Sequence, residues 1–110
     1  MIDRADVNEC RFTGLVTQGP FSKLSPGGVE TTRFVIECTS EQRGRSAVSF
    51  ITCHAYGELA RTCAGLVVGA AVRVLSRCRS WHQAEERKSG YRFEVVEIQE
   101  MPLPKASAGA

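Results

Sequence analysis

Between Arg73 and Arg92 the chain places six basic residues, Arg73, Arg77, Arg79, Arg87, Lys88 and Arg92, against two acidic ones, Glu85 and Glu86. That is a local balance of +4 in a chain of 110 residues whose net charge is only +2. Arg73, Arg77 and Arg79 fall at even spacings, and Trp81, the only tryptophan, follows them. In a strand, successive side chains turn to opposite faces. Arg73, Leu75, Arg77, Arg79 and Trp81 then share one face, and Val72, Val74, Ser76 and Cys78 share the other. The first face is a cationic stripe that ends in an indole. Such a surface suits single-stranded nucleic acid: guanidinium groups follow the phosphates and an aromatic ring stacks on a base. A plainer reading of the same residues is a solvated strand face with Trp81 folded over a barrel end as an apolar cap.

The remaining reactive residue types do not assemble into a catalytic pattern. Glu85 and Glu86 are adjacent and diverge on an extended loop, whereas a glycosidase-type carboxylate pair must converge on one bond. Ser25 has no nearby base to activate it. The glycines of SPGG lack the strand-to-helix context and the lysine of a phosphate loop. The five cysteines are scattered, odd in number and free of any C-x-x-C pair. Four of them lie in apolar strand-like runs, where a thiol behaves as a small hydrophobe. His54 and His82 fit no usual zinc spacing, and His54, beside Cys53 on a strand, reads as a polar residue at a rim. These observations exclude an obvious enzyme, metal site or cofactor site. With no leader-like segment and no long apolar run, they describe a reduced cytoplasmic protein without membrane attachment.

The elements that must carry the stripe are mostly strands. Residues 8–18 alternate apolar and polar, 29–39 are rich in β-branched residues, and 47–56 form a third apolar run. The glycine- and proline-bearing segment 19–28 reads as a hairpin connection, and the polar segment 40–46 as a loop. Leu59, Cys63 and Leu66 recur at helical spacing, so 57–66 reads as a short helix. A fourth strand covers 70–81, a loop 82–90 and a fifth strand 91–101. Residues 102–110 read as a disordered, small-residue tail behind one domain spanning 1–101. The order strand, strand, strand, short helix, strand, strand is that of an all-β OB-fold, a five-stranded barrel often used to bind oligonucleotides.

Four segments, in order, carry a family resemblance. FITCHAYGELAR at 50–61 resembles the third-strand-to-helix segment of bacterial single-stranded DNA-binding proteins. GPFSKLSPGGVETTRFVIEC at 19–38 resembles both those proteins and their short PriB-type relatives, the primosomal replication N proteins. VVGAAVRVLSRCRSW at 67–81 resembles the family's fourth strand, with Ser76 in place of a second glycine, and YRFEVVEIQEM at 91–101 resembles its closing strand. The likeness implies a non-enzymatic OB-fold that binds single-stranded DNA as a homodimer. It places stacking aromatics at Phe50, Tyr56 and Trp81, and basic contacts at Lys23, Arg87, Lys88 and Arg92. The short, acid-free end of the chain resembles the PriB branch. That branch implies partners in replication restart, a primosomal helicase and a loader protein. The aromatic positions resemble the general binding proteins instead. A different class of reading also stands: an OB barrel whose surface docks a protein.

Overall fold

The computed structural model describes residues 6–102. Its elements are β1 (Cys10–Leu24), β2 (Glu30–Gln42), β3 (Arg45–Tyr56), α1 (Glu58–Ala64), β4 (Ala71–Gln83) and β5 (Lys88–Met101). The strands close into a barrel in the order β1-β2-β3-β5-β4. Every pairing is antiparallel except β3–β5, which is parallel. This is the OB-fold implied by the order of elements, with the helix where the periodicity placed it.

Alternation builds the interior. On β4, Val72, Val74 and Ser76 are buried while Arg73 and Arg77 are exposed. Val16, Phe34, Ile36, Cys53 and Val95 join the two valines, and Ala60, Cys63 and Leu66 extend this core into the α1 region. The helix is anchored by the buried Thr32 hydroxyl, which donates to the Ala60 carbonyl at 2.7 Å. β5 meets the same core in spite of a register shift opposite Leu75 and Ser76. Those two residues pair with Glu97 and Val95, so Val96 is an extra residue. It shifts the alternation and lets both Val95 and Ile98 reach the core.

The strands are longer than the sequence pattern indicated, and each extension has a physical cause. The Gly19–Pro20 pair does not turn the chain. It lies in an irregularity of the β1–β2 ladder between Gln18 and Phe21, after which pairing resumes to Leu24 opposite Glu30. A bulge lets proline, which has no N–H to give, sit out of the ladder. The real turn is shorter, with the Gly28 N–H donating to the Ser25 carbonyl at 2.8 Å. The expected loop at 40–46 is instead strand plus a two-residue turn at Arg43 and Gly44, with φ of 55° and 76°. Two left-handed residues in succession make the mirror-image turn that suits the twist of a hairpin. Likewise β4 runs to Gln83 and β5 starts at Lys88. Both hairpin ends are exposed on both sides. They have no buried face, so burial imposes no alternation on their sequence.

The expected disordered tail at 102–110 lies, from residue 103 on, outside the described residues. All five cysteines are free thiols. Among the described residues no helix is long and apolar enough to cross a membrane.

Candidate nucleic-acid interface

Strand register aligns one row of side chains across the outer wall of the barrel. Phe21 on β1 pairs with Arg33 on β2, Arg33 with His54 on β3, His54 with Glu94 on β5, and Glu94 with Arg77 on β4. The Arg33 guanidinium carbon lies 4.8 Å from the centre of the Phe21 ring. At the other end Glu94 holds two arginines, Arg77 at 3.4 Å and Arg79 at 3.7 Å. Between them Arg92 donates from Nη1 to the Tyr56 hydroxyl at 3.0 Å. Along this row one carboxylate, Glu94, therefore stands among four guanidinium groups, and Glu37 lies further along the same β2 face opposite Phe50.

His54 is at the centre of the row. Burial, then the neighbouring Arg92 and Arg33, hold its pKa below the ordinary histidine value, against the opposing pull of Glu94. Its Nδ1 is shut off from solvent and has no hydrogen-bond partner.

Beyond His54 the wall divides. β3 and β5 pair only at Cys53–Phe93 and His54–Glu94. Further out the β2–β3 and β4–β5 hairpins are separate ribbons, and each carries an aromatic ring. Phe50 is 66% exposed on β3, on the same face as His54. Trp81 pairs with Gly90 and is 39% exposed. A Cβ on Gly90 would stand 3.0 Å from the indole, so the ring lies directly against the β5 backbone. Trp81 is outside the hydrophobic core and does not cap the barrel. Tyr91, 76% exposed, falls by alternation on the opposite face of the same ribbon.

The residues singled out from sequence thus divide. Tyr56, Arg77, Arg79 and Arg92 converge around Glu94 and His54, with Phe50 and Trp81 on the two ribbons that extend this wall. Lys23, opposite Thr31, lies one row away from Phe21. Arg87 and Lys88 are at the β4–β5 tip, where Lys88 pairs with Glu86 at 3.4 Å and Arg87 is left-handed with φ of 54°. Arg73 shares the outward side of β4, but its neighbours are different. It pairs with Thr13 and Gln99 and lines a cleft with Arg11 and Glu97 on the β1–β4–β5 wall. Phe21, Arg33 and His54 were missed. Nothing in their local sequence marks them, because only the register across strands brings them together. Arg43 and Arg45 at the β2–β3 tip add exposed cations. Arg43 and Arg45 could have been seen in the basic residues of the 40–46 segment.

Among the described residues no group of three or more His, Cys, Asp or Glu side chains could hold a metal ion. Burial raises the Cys53 thiol to about 12 and the Cys63 thiol to about 11, so neither is poised as a thiolate.

Residues 7–101 match the single-strand binding protein family. The chain belongs to that family. No curated protein sequence matches it. Among solved structures, the barrel resembles the single-stranded DNA binding protein from Thermus aquaticus, with a TM-score of 0.75 and 19% identity over 88% of this chain. This chain spans about half of that protein, 51% of its length. PriB from Ralstonia solanacearum is also similar, with a TM-score of 0.71 and 10% identity over 88% of this chain and 100% of that one. At these identities the likeness establishes the fold.

Proposed function

We propose that this protein binds single-stranded DNA with little sequence preference. The observation that carries the reading is the wall just described. Tyr56, Arg92, Arg77 and Arg79 lie on one barrel face, and exposed aromatic rings stand on the two ribbons that leave it. Cations of this kind neutralise phosphates, and flat exposed rings accept any base. Family membership supports the same reading. Fluorescence anisotropy with a labelled oligo-dT of about 30 nucleotides tests it, since a strand of that length spans more than one OB-fold site. Binding to the single strand with much weaker binding to duplex is expected. Equal, weak, salt-insensitive binding to both would overturn it.

Within that activity we place the protein in replication restart, as an accessory of the primosome acting as a homodimer. The support is the PriB-like segment around LSPGG at 24–28 together with a fold shared with Ralstonia solanacearum PriB. Pairing of first strands across a two-fold would cover an open sheet edge. Light scattering is expected to show twice the 12.0 kDa chain mass, and the single strand should be handed to a primosomal helicase in a reconstituted unwinding assay. A second reading, a general single-strand binding protein, is favoured by the aromatic set Phe50, Tyr56 and Trp81. It predicts DNA binding without any effect on the helicase.

A further inference from the structure

We propose that a backbone phosphate of the single strand seats over His54 between Arg33 and Arg92, and that binding it places a solvent proton on His54. This rests on the single-strand reading and names a contact within it.

The site is built by register. Arg33 and Arg92 approach His54 from neighbouring strands on either side. Neither makes an ion pair among the described residues. Arg33 rests on the Phe21 ring, and Arg92 is held by the neutral Tyr56 hydroxyl. The one carboxylate on the row, Glu94, is already engaged by Arg77 and Arg79. Lys23 adds a more distant positive charge from β1. An anion is the partner this cluster lacks.

His54 makes the site distinctive. Its Nδ1 is buried without a partner, and we take Nε2 as the nitrogen that meets the phosphate. In the free protein burial first, and then Arg92 and Arg33 on either side, oppose a proton on the ring. A phosphate between them reverses the local field: it screens both guanidinium groups and offers the imidazolium an oxygen acceptor. The proton's effect therefore changes sign on binding. It is unfavourable in the free fold and favourable in the complex, so by linkage affinity rises as pH falls through the histidine range. The chain has only two histidines, His54 and His82. His82 stands beyond Trp81 on the exposed ribbon and provides the internal control.

The test is affinity for oligo-dT at constant low salt from pH 8 to pH 5.5, for the wild type, His54→Gln and His82→Gln. Wild-type affinity is expected to rise roughly three- to tenfold over that range, the scale on which uptake of a single linked proton acts. His82→Gln should keep that rise and His54→Gln should lose it. Calorimetry of the wild type in buffers of different ionisation heat should register proton uptake near pH 6. The imidazole resonances should also show one histidine whose midpoint moves up on adding oligo-dT, a readout that holds even where a variant fails to fold. A flat wild-type profile, or a rise that survives in His54→Gln, overturns the inference and leaves single-strand binding intact. No binding at pH 8 and low salt removes both.

Discussion

Trp81 owes its position to the residue across from it. Gly90 presents bare backbone, and the indole occupies the space a side chain would fill. Held in that way, the ring is fixed without entering the core, so its loss and the loss of the fold are separable. Trp81→Ala is expected to weaken single-strand binding by about 1–3 kcal/mol, roughly five- to 150-fold, with little change in Tm. A fully buried tryptophan would instead show a large fall in Tm. As the only tryptophan, it should also be quenched by oligo-dT in a fluorescence titration. Gly90→Ala probes the seat. Its Cβ would come within 3.0 Å of Cζ2 and 3.1 Å of Nε1, so the ring must tilt away. A folded Gly90→Ala protein with weaker quenching and a several-fold affinity loss is the expected result, of the same kind as removing part of the stacking contribution. Glu94 acts in the opposite sense. Glu94→Gln frees Arg77 and Arg79, and tighter binding with a steeper salt dependence should follow.

The elements have sharper constraints than their exposed residues show. β1 pairs with β4 from Cys10 to Leu15 and with β2 from Leu15 onward, so it changes partner at one residue. Gly14 stands at that corner, where a Cβ would collide with the Glu37 carbonyl. Gly14→Ala is expected to destabilise the fold by about 1–3 kcal/mol, seen as a Tm drop of several degrees per kcal/mol in a chain of this size. The barrel half of each strand was legible from sequence because burial imposes alternation there, as Val72, Val74 and Ser76 show. The ribbon halves were not. Ser40, Glu41, Gln42 and Arg45 are paired strand residues with solvent on both sides, and nothing in their types distinguishes them from a loop. The site divided along the same line. Arg77, Arg79 and Trp81 could be grouped because they share one strand. Arg33 and His54 could not, since they belong together only through pairing.

For the whole molecule, charge and burial each give a measurable response. The cationic wall should give binding a log–log salt slope of about −0.7 per phosphate contacted, and a flat response between low and moderate salt would count against arginines tracking the backbone. The buried thiols give a second check. All five cysteines should react in denaturant without prior reduction, while in the native protein Cys53 and Cys63 should lag behind the others. The pairing of β3 with β5 has a kinetic consequence. Only two residues on each strand close the barrel there, against a ladder of Ala71–Gln83 with Lys88–Met101 on the neighbouring side. Opening at that junction breaks few backbone bonds, so it is the low-energy route by which the cylinder unzips short of global unfolding. Amide protons around Cys53 and Phe93 should exchange with solvent deuterium sooner than their depth suggests. A phosphodiester gripped from one side by Arg33 and from the other by Arg92 would bridge that junction like a rivet, and saturating oligo-dT should slow exchange there more than anywhere else in the chain.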